Sequence, residues 1–207
     1  DAVRAGAANL AKQIENVRLF NVPVVVAINA FPTDTPAEVR AVQEVSLSAG
    51  ARAAVVADHW ARGGAGAEAL AEAVWAAAEQ GAPDFKLLYP DEAPLTAKIE
   101  AIATRVYGAD GVDLSTTAAR QLAQYESLGF GRLPICMAKS QYSLSHDASL
   151  KGRPTGWRLP IREVRLSAGA GFVTPLAGEM RTMPGLPSRP GGENIDVDAD
   201  GEIVGLF

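Results

Sequence analysis

What these 207 residues lack narrows their role before any motif is considered. There is one cysteine, Cys136, within the apolar run Leu133-Pro134-Ile135-Cys136-Met137-Ala138, where it reads as a buried strand thiol rather than a ligand or nucleophile. An intracellular compartment is the corresponding default. No apolar run approaches the roughly 18 to 20 residues of a membrane-spanning helix, and no secretory signal opens the chain. Excess positive charge is missing too: the formal net charge is -5, which argues against nucleic acid as the main partner. The phosphate-loop pattern GxxxxGK[ST] occurs nowhere, which weakens a nucleotide switch of the P-loop kind. No initiator methionine precedes the first helical stripe, Leu10, Ile14, Val17 and Phe20, so the expectation is a fragment of something longer.

What is present is ordinary globular material, 48% apolar and 21% charged, long enough for one large domain or two small ones. The segment Val22-Pro23-Val24-Val25-Val26-Ala27 is apolar without alternation and β-branched. It reads as a strand buried on both faces, as in a helix-covered parallel sheet, with Pro23 near its first residue. Thr35-Pro36 then starts a helix running to about Ser48, with threonine as N-cap and proline at the first helical position. Gly50 closes that helix, and Ala53 to Ala57 reads as a second strand, parallel to the first through a right-handed crossover.

Ligands of open α/β sheets bind at the carboxyl ends of the strands, where the loops carrying Asn29, Phe31 and Asp34 and then Asp58-His59-Trp60-Ala61-Arg62-Gly63-Gly64-Ala65-Gly66 are found. Phe31 and Trp60 follow the two strands, and their rings can face each other across a gap suited to a flat heterocycle. The competing reading makes each a plug between loop and helix.

A break rich in proline, residues 81–94, contains Phe85 to Tyr89 as a short strand or connector and marks a soft boundary. Helices over 95–107 and 115–128 follow, the second capped by Ser115. From Leu133 onward short apolar runs cut by glycine and proline predict a strand-rich part. Ser145, His146 and Asp147 are adjacent in sequence, which gives no triad geometry; the loop from Lys139 to Asp147 is either a polar or anionic ligand loop or a solvated turn. Two runs around Ala168-Gly169-Ala170-Gly171 predict a hairpin. Residues 183–187 hold too much proline for regular structure. Asp196, Asp198, Asp200 and Gly201 mimic a calcium loop, but its twelfth position falls on Phe207, so a terminal hairpin about Asp200-Gly201 is expected instead.

The segments VPVVVAINAFPTDT, HWARGG, LPICMAKSQYSLSHD, KGRPTG, REVRLSAGAGF, PLAGEMRTMPGLPSRP and DGEIVGLF together resemble the carboxy-terminal part of formate-tetrahydrofolate ligase, also called 10-formyltetrahydrofolate synthetase. The resemblance implies an α/β fold in which residues 1–85 end a parallel P-loop-type sheet with flanking helices. Residues 86–207 then form a smaller helical and strand-rich α+β part. It also implies a reaction in which ATP, formate and tetrahydrofolate give 10-formyltetrahydrofolate, ADP and phosphate through formyl phosphate, with Mg2+ and a monovalent cation, K+ or NH4+. The phosphate loop and the formyl phosphate residues lie upstream in that family, so this stretch supplies no catalytic residue or metal ligand and is not expected to turn over alone. The resemblance lends Phe31 and Trp60 a ring-holding role for folate or nucleotide, with Asn29, Pro32 and Asp34 shaping the same pocket. A cytoplasmic homo-oligomer, a tetramer in the family, is implied. The alternative is a non-catalytic stand-alone binding or subunit-interaction domain derived from that family.

Overall fold

The structure is a computed structural model that describes residues 2–79, 84–178 and 188–205. Helix α1 (Ala2–Arg18) leads to strand β1 (Val25–Asn29), helix α2 (Pro36–Ser48) and strand β2 (Ala53–Ala57). The two strands pair in parallel, from Val25 opposite Ala53 to Asn29 opposite Ala57. The α/β order is therefore present. Among the described residues the sheet stops at two strands, so the wider P-loop-type sheet does not appear there.

Two details of the first strand differ from the sequence expectation. It begins at Val25 rather than Val22, leaving Pro23 outside it, and its faces are not both buried, since Ala27 and Asn29 are exposed. Alternation puts both on one face, while Val26 and Ile28 are half-buried on the other face of this two-stranded sheet. The cluster beneath it is correspondingly small, with Ile14, Val24 and Ala51 at its centre.

The short helix α3 (His59–Arg62) and a 3-10 turn, Gly63–Gly66, join β2 to helix α4 (Glu68–Glu79). Residues 84–94 carry no helix or strand and lead into helix α5 (Leu95–Ala101), which widens into a π turn over Ile102–Val106. Strand β3 (Val112–Leu114) pairs in parallel with β4 (Leu159–Ile161), helix α6 (Thr116–Ser127) between them in sequence. Strands β5 (Glu163–Ser167) and β6 (Phe172–Leu176) form the expected antiparallel hairpin, and β7 (Asp196–Val197) with β8 (Ile203–Val204) forms the terminal one. There Asp198 Oδ1 accepts the backbone N–H groups of Asp200 and Glu202 at 3.0 and 2.9 Å, so this aspartate organises the turn. Residues 183–187 and Phe207 lie outside the described residues.

This second half has its own, larger core, built from Leu95, Ile99, Leu122, Leu159, Ile161, Val164 and Val173. The run from Leu133 to Ala138 lies along β6 through bridges at Ile135 and Ala138, with Cys136 N–H donating to Val173 O at 2.8 Å and Ala138 N–H to Pro175 O at 2.9 Å. Side chains of an extended segment alternate in direction, and Leu133, Ile135 and Met137 take the core side. Cys136 takes the other and is exposed, a correction to the buried thiol expected from composition.

Candidate functional site

The site region grows out of the carboxyl ends of β1 and β2. Past β1, Ala30 N–H donates to Ala57 O at 3.1 Å and carries the chain one residue beyond the strand pairing. The next turn closes on itself: Phe31 N–H donates to Asp34 Oδ2 at 2.8 Å while Asp34 N–H returns to Phe31 O at 3.0 Å. Thr35 and Glu38 then form a capping box at the start of α2, with Pro36 in its first turn. The hydrogen bonds from Thr35 hold the Glu38 carboxyl below its ordinary range. A rigid helix start thus anchors the loop that presents Phe31.

Past β2, Asp58 N–H donates to Gly66 O at 3.2 Å, and α3 begins at once, with Trp60 in its single turn. Trp60 Nε1 donates to Ala30 O at 2.9 Å, a tether from one loop to the other. The rings of Phe31 and Trp60 stack, centroids 5.9 Å apart and planes 23° from parallel. They remain 58% and 55% exposed, so neither is a core plug in this chain. Asn29, the last residue of β1, and Pro32 and Asp34 in the loop after it are exposed. Sequence reasoning brought the two rings together but missed the indole tether, because a carbonyl acceptor leaves no mark in sequence. The gap it expected between the rings is closed here.

Among the described residues no three of His, Cys, Asp and Glu cluster as metal ligands would. The two aspartates nearest the rings are engaged, Asp34 with Phe31 N–H and Asp58 with Arg62 at 3.4 Å. In the loop from Lys139 to Asp147, Ser143, Leu144 and Ser145 are buried, while Gln141, Tyr142 and Asp147 are exposed. Lys139 Nζ donates to Ser140 O at 2.7 Å and to Ser143 O, and lies 4.9 Å from the Tyr107 ring centre, while burial pushes its pKa down. Ser145 Oγ bonds to Ser143 Oγ and Asp147 O, whereas the Asp147 carboxylate takes Ser149. His146 rests against the Trp157 ring, and no triad forms.

With this geometry established, comparison with known proteins places the chain. A family model described as formate-tetrahydrofolate ligase matches residues 1–207. The chain belongs to the formate-tetrahydrofolate ligase family. Formate-tetrahydrofolate ligases of Saccharopolyspora erythraea and Herpetosiphon aurantiacus are 59% and 56% identical to it, each over 207 residues and the whole of this chain. The chain spans 36% of the length of each. The cytoplasmic C-1-tetrahydrofolate synthase of Schizosaccharomyces pombe is 52% identical over 206 residues, and the match occupies 22% of that protein. Family membership thus covers every element described above, including both aromatic loops. No described helix is long and apolar enough to cross a membrane.

Proposed function

We propose that this chain is the carboxy-terminal portion of an ATP-dependent ligase that joins formate to tetrahydrofolate, giving 10-formyltetrahydrofolate, ADP and phosphate through formyl phosphate. Its contribution is the ring-holding wall of the folate or nucleotide pocket. The observation that carries this reading is the Phe31–Trp60 stack, exposed at the carboxyl ends of two adjacent parallel strands. A planar heterocycle seated between two rings needs them about 7 Å apart, two ordinary contact distances. At 5.9 Å the pair excludes it, so a ligand either parts the rings or stacks on an outer face. The Trp60 tether to Ala30 O is the bond that parting would strain. Asn29, Pro32 and Asp34 are assigned to the same pocket in this reading, and Asp34 acts through the Phe31 turn.

In this reading Mg2+, the monovalent cation and the phosphate-handling groups belong to the rest of the enzyme. The division at residues 85 and 86, the homo-tetramer and the cytoplasmic location are part of the same proposal. The two separate core clusters support the division. The test is the steady-state KM for tetrahydrofolate and for ATP in the intact enzyme with Trp60→Ala and Phe31→Ala. A rise in either KM supports the reading, and no change in both removes it. A companion measurement is formation of 10-formyltetrahydrofolate by the isolated chain, for which no turnover is expected.

A further inference from the structure

We infer that Gly66 is a positioning residue for Trp60, and that it acts by steric proximity where its neighbours Gly63 and Gly64 do not. The inference rests on the ring-holding role proposed above. A methyl group built on Gly66 would lie 2.6 Å from Asp58 Oδ1 and 2.7 Å from both Asp58 C and His59 N. Two of these are backbone atoms, so no side-chain rotation relieves the contact. The approach is held by the 3.2 Å hydrogen bond from Asp58 N–H to Gly66 O, which closes the loop into a ring with α3 inside it. Asp58 and His59 are the two residues that launch the single turn bearing Trp60. Displacing them by the several tenths of an ångström that a Cβ requires re-aims the indole, whose Nε1 must still meet Ala30 O and whose face must still meet Phe31.

The other two glycines of the loop have different demands. Gly63 adopts φ 57 and ψ -140, a conformation that a side chain disfavours, with no atom within 4 Å of a built Cβ. Gly64 has neither positive φ nor a close neighbour. The sequence Gly63-Gly64-Ala65-Gly66 therefore separates into a residue needed for backbone conformation, one needed for nothing local, and one needed for close approach.

The experiment measures KM and kcat of the intact enzyme for tetrahydrofolate and ATP, with thermal melting alongside, in Gly66→Ala, Gly64→Ala and Trp60→Ala. Gly66→Ala is expected to raise KM for the stacked substrate by about 5- to 100-fold, the range base-aromatic stacking spans, with kcat nearly unchanged. Gly64→Ala leaves both KM values unchanged. Which KM moves identifies the planar ring as pterin or adenine. A folded Gly66→Ala enzyme with both KM values unchanged overturns the inference while Trp60→Ala still raises one. Unchanged KM values in Trp60→Ala sink the ring-holding reading itself. If Gly66→Ala does not fold, one glycine inserted between Ala65 and Gly66 replaces it, since it relaxes the approach to Asp58 and His59 without adding a side chain. A raised KM there supports close approach as the positioning device, and an unchanged one overturns it.

Discussion

The hydrogen bond from Trp60 Nε1 to Ala30 O links two loops that the parallel strands bring to the same sheet edge, and it separates two contributions of one side chain. Trp60→Ala removes both the stacking face and the tether, and the predicted loss in affinity for the stacked substrate is about 1 to 3 kcal/mol. Trp60→Phe keeps a ring and loses the tether, so its loss should fall between that of Trp60→Ala and none. Because both rings are more than half exposed, urea unfolding of these variants should move little compared with truncation of a buried aromatic. A large loss of stability with unchanged affinity would convert the pair into packing. Phe31 and Trp60 were legible in the sequence because each is an aromatic just past a β-branched run. Gly66 was not, since its constraint is the approach of Asp58 and His59, which only folding brings about.

At the scale of elements, the signals that worked were local. Ser115 illustrates this: a serine before an apolar helical stripe predicts an N-cap, and its Oγ accepts Ala118 N–H at 3.0 Å while donating to Arg162 O at 2.6 Å. Ser115→Ala is predicted to lower stability by about 1 to 2 kcal/mol, read from the urea midpoint at constant slope. The π turn after α5 was not legible, because Ile99, Ile102 and Val106 fit the apolar face of either helix type. Lys98 was missed for a different reason: composition places lysine outside, yet this one is fully buried. Its ammonium donates to Gly131 O at 2.9 Å and Leu133 O at 3.1 Å, pinning the segment just after α6 to α5. Burial lowers its pKa from the ordinary 10.5, with Asp91 and Glu92 acting in the opposite direction. Lys98→Met strands two carbonyls and should destabilise the fold by about 2 to 4 kcal/mol. Between the depressed value and 10.5 the unfolded chain binds more protons than the folded one, so wild-type stability rises with pH there. The gap between wild type and Lys98→Met should therefore widen as pH rises through that window, and a flat profile would contradict it.

At the scale of the molecule, two cores that share no residue are joined by α1. Ile14 belongs to the smaller core, while the polar face of the same helix reaches the larger half: Asn9 donates to Gly152 O, Lys12 to Arg105 O at 2.7 Å, and Glu15 receives both arms of Arg153 at 3.0 and 2.9 Å. The apolar stripe of α1 was readable, but partners 93 and 138 residues away leave no periodic signal. The two most prominent contacts should contribute in the reverse of their visual order. Glu15 and Arg153 are both partly solvated, and such a pair contributes about 0.5 kcal/mol, whereas Lys12 is 6% exposed and its loss leaves the Arg105 carbonyl without that donor. Lys12→Met should cost about 1 to 3 kcal/mol. The Glu15 carboxyl is pushed up by burial but pulled below its ordinary 4.5 by Arg153 and Lys12. Its contribution is then complete above 4.5 and disappears as pH falls through the depressed value. Urea unfolding of wild type, Glu15→Gln and Lys12→Met from neutral to acid pH checks both statements. The Glu15→Gln difference should close in acid, while most of the Lys12→Met difference, which depends on a carbonyl that does not titrate, should remain. If the two differences vanish together, Lys12 acts only through its ion pair with Glu15, and the buried hydrogen bond to Arg105 O is not what fastens α1 to the second half.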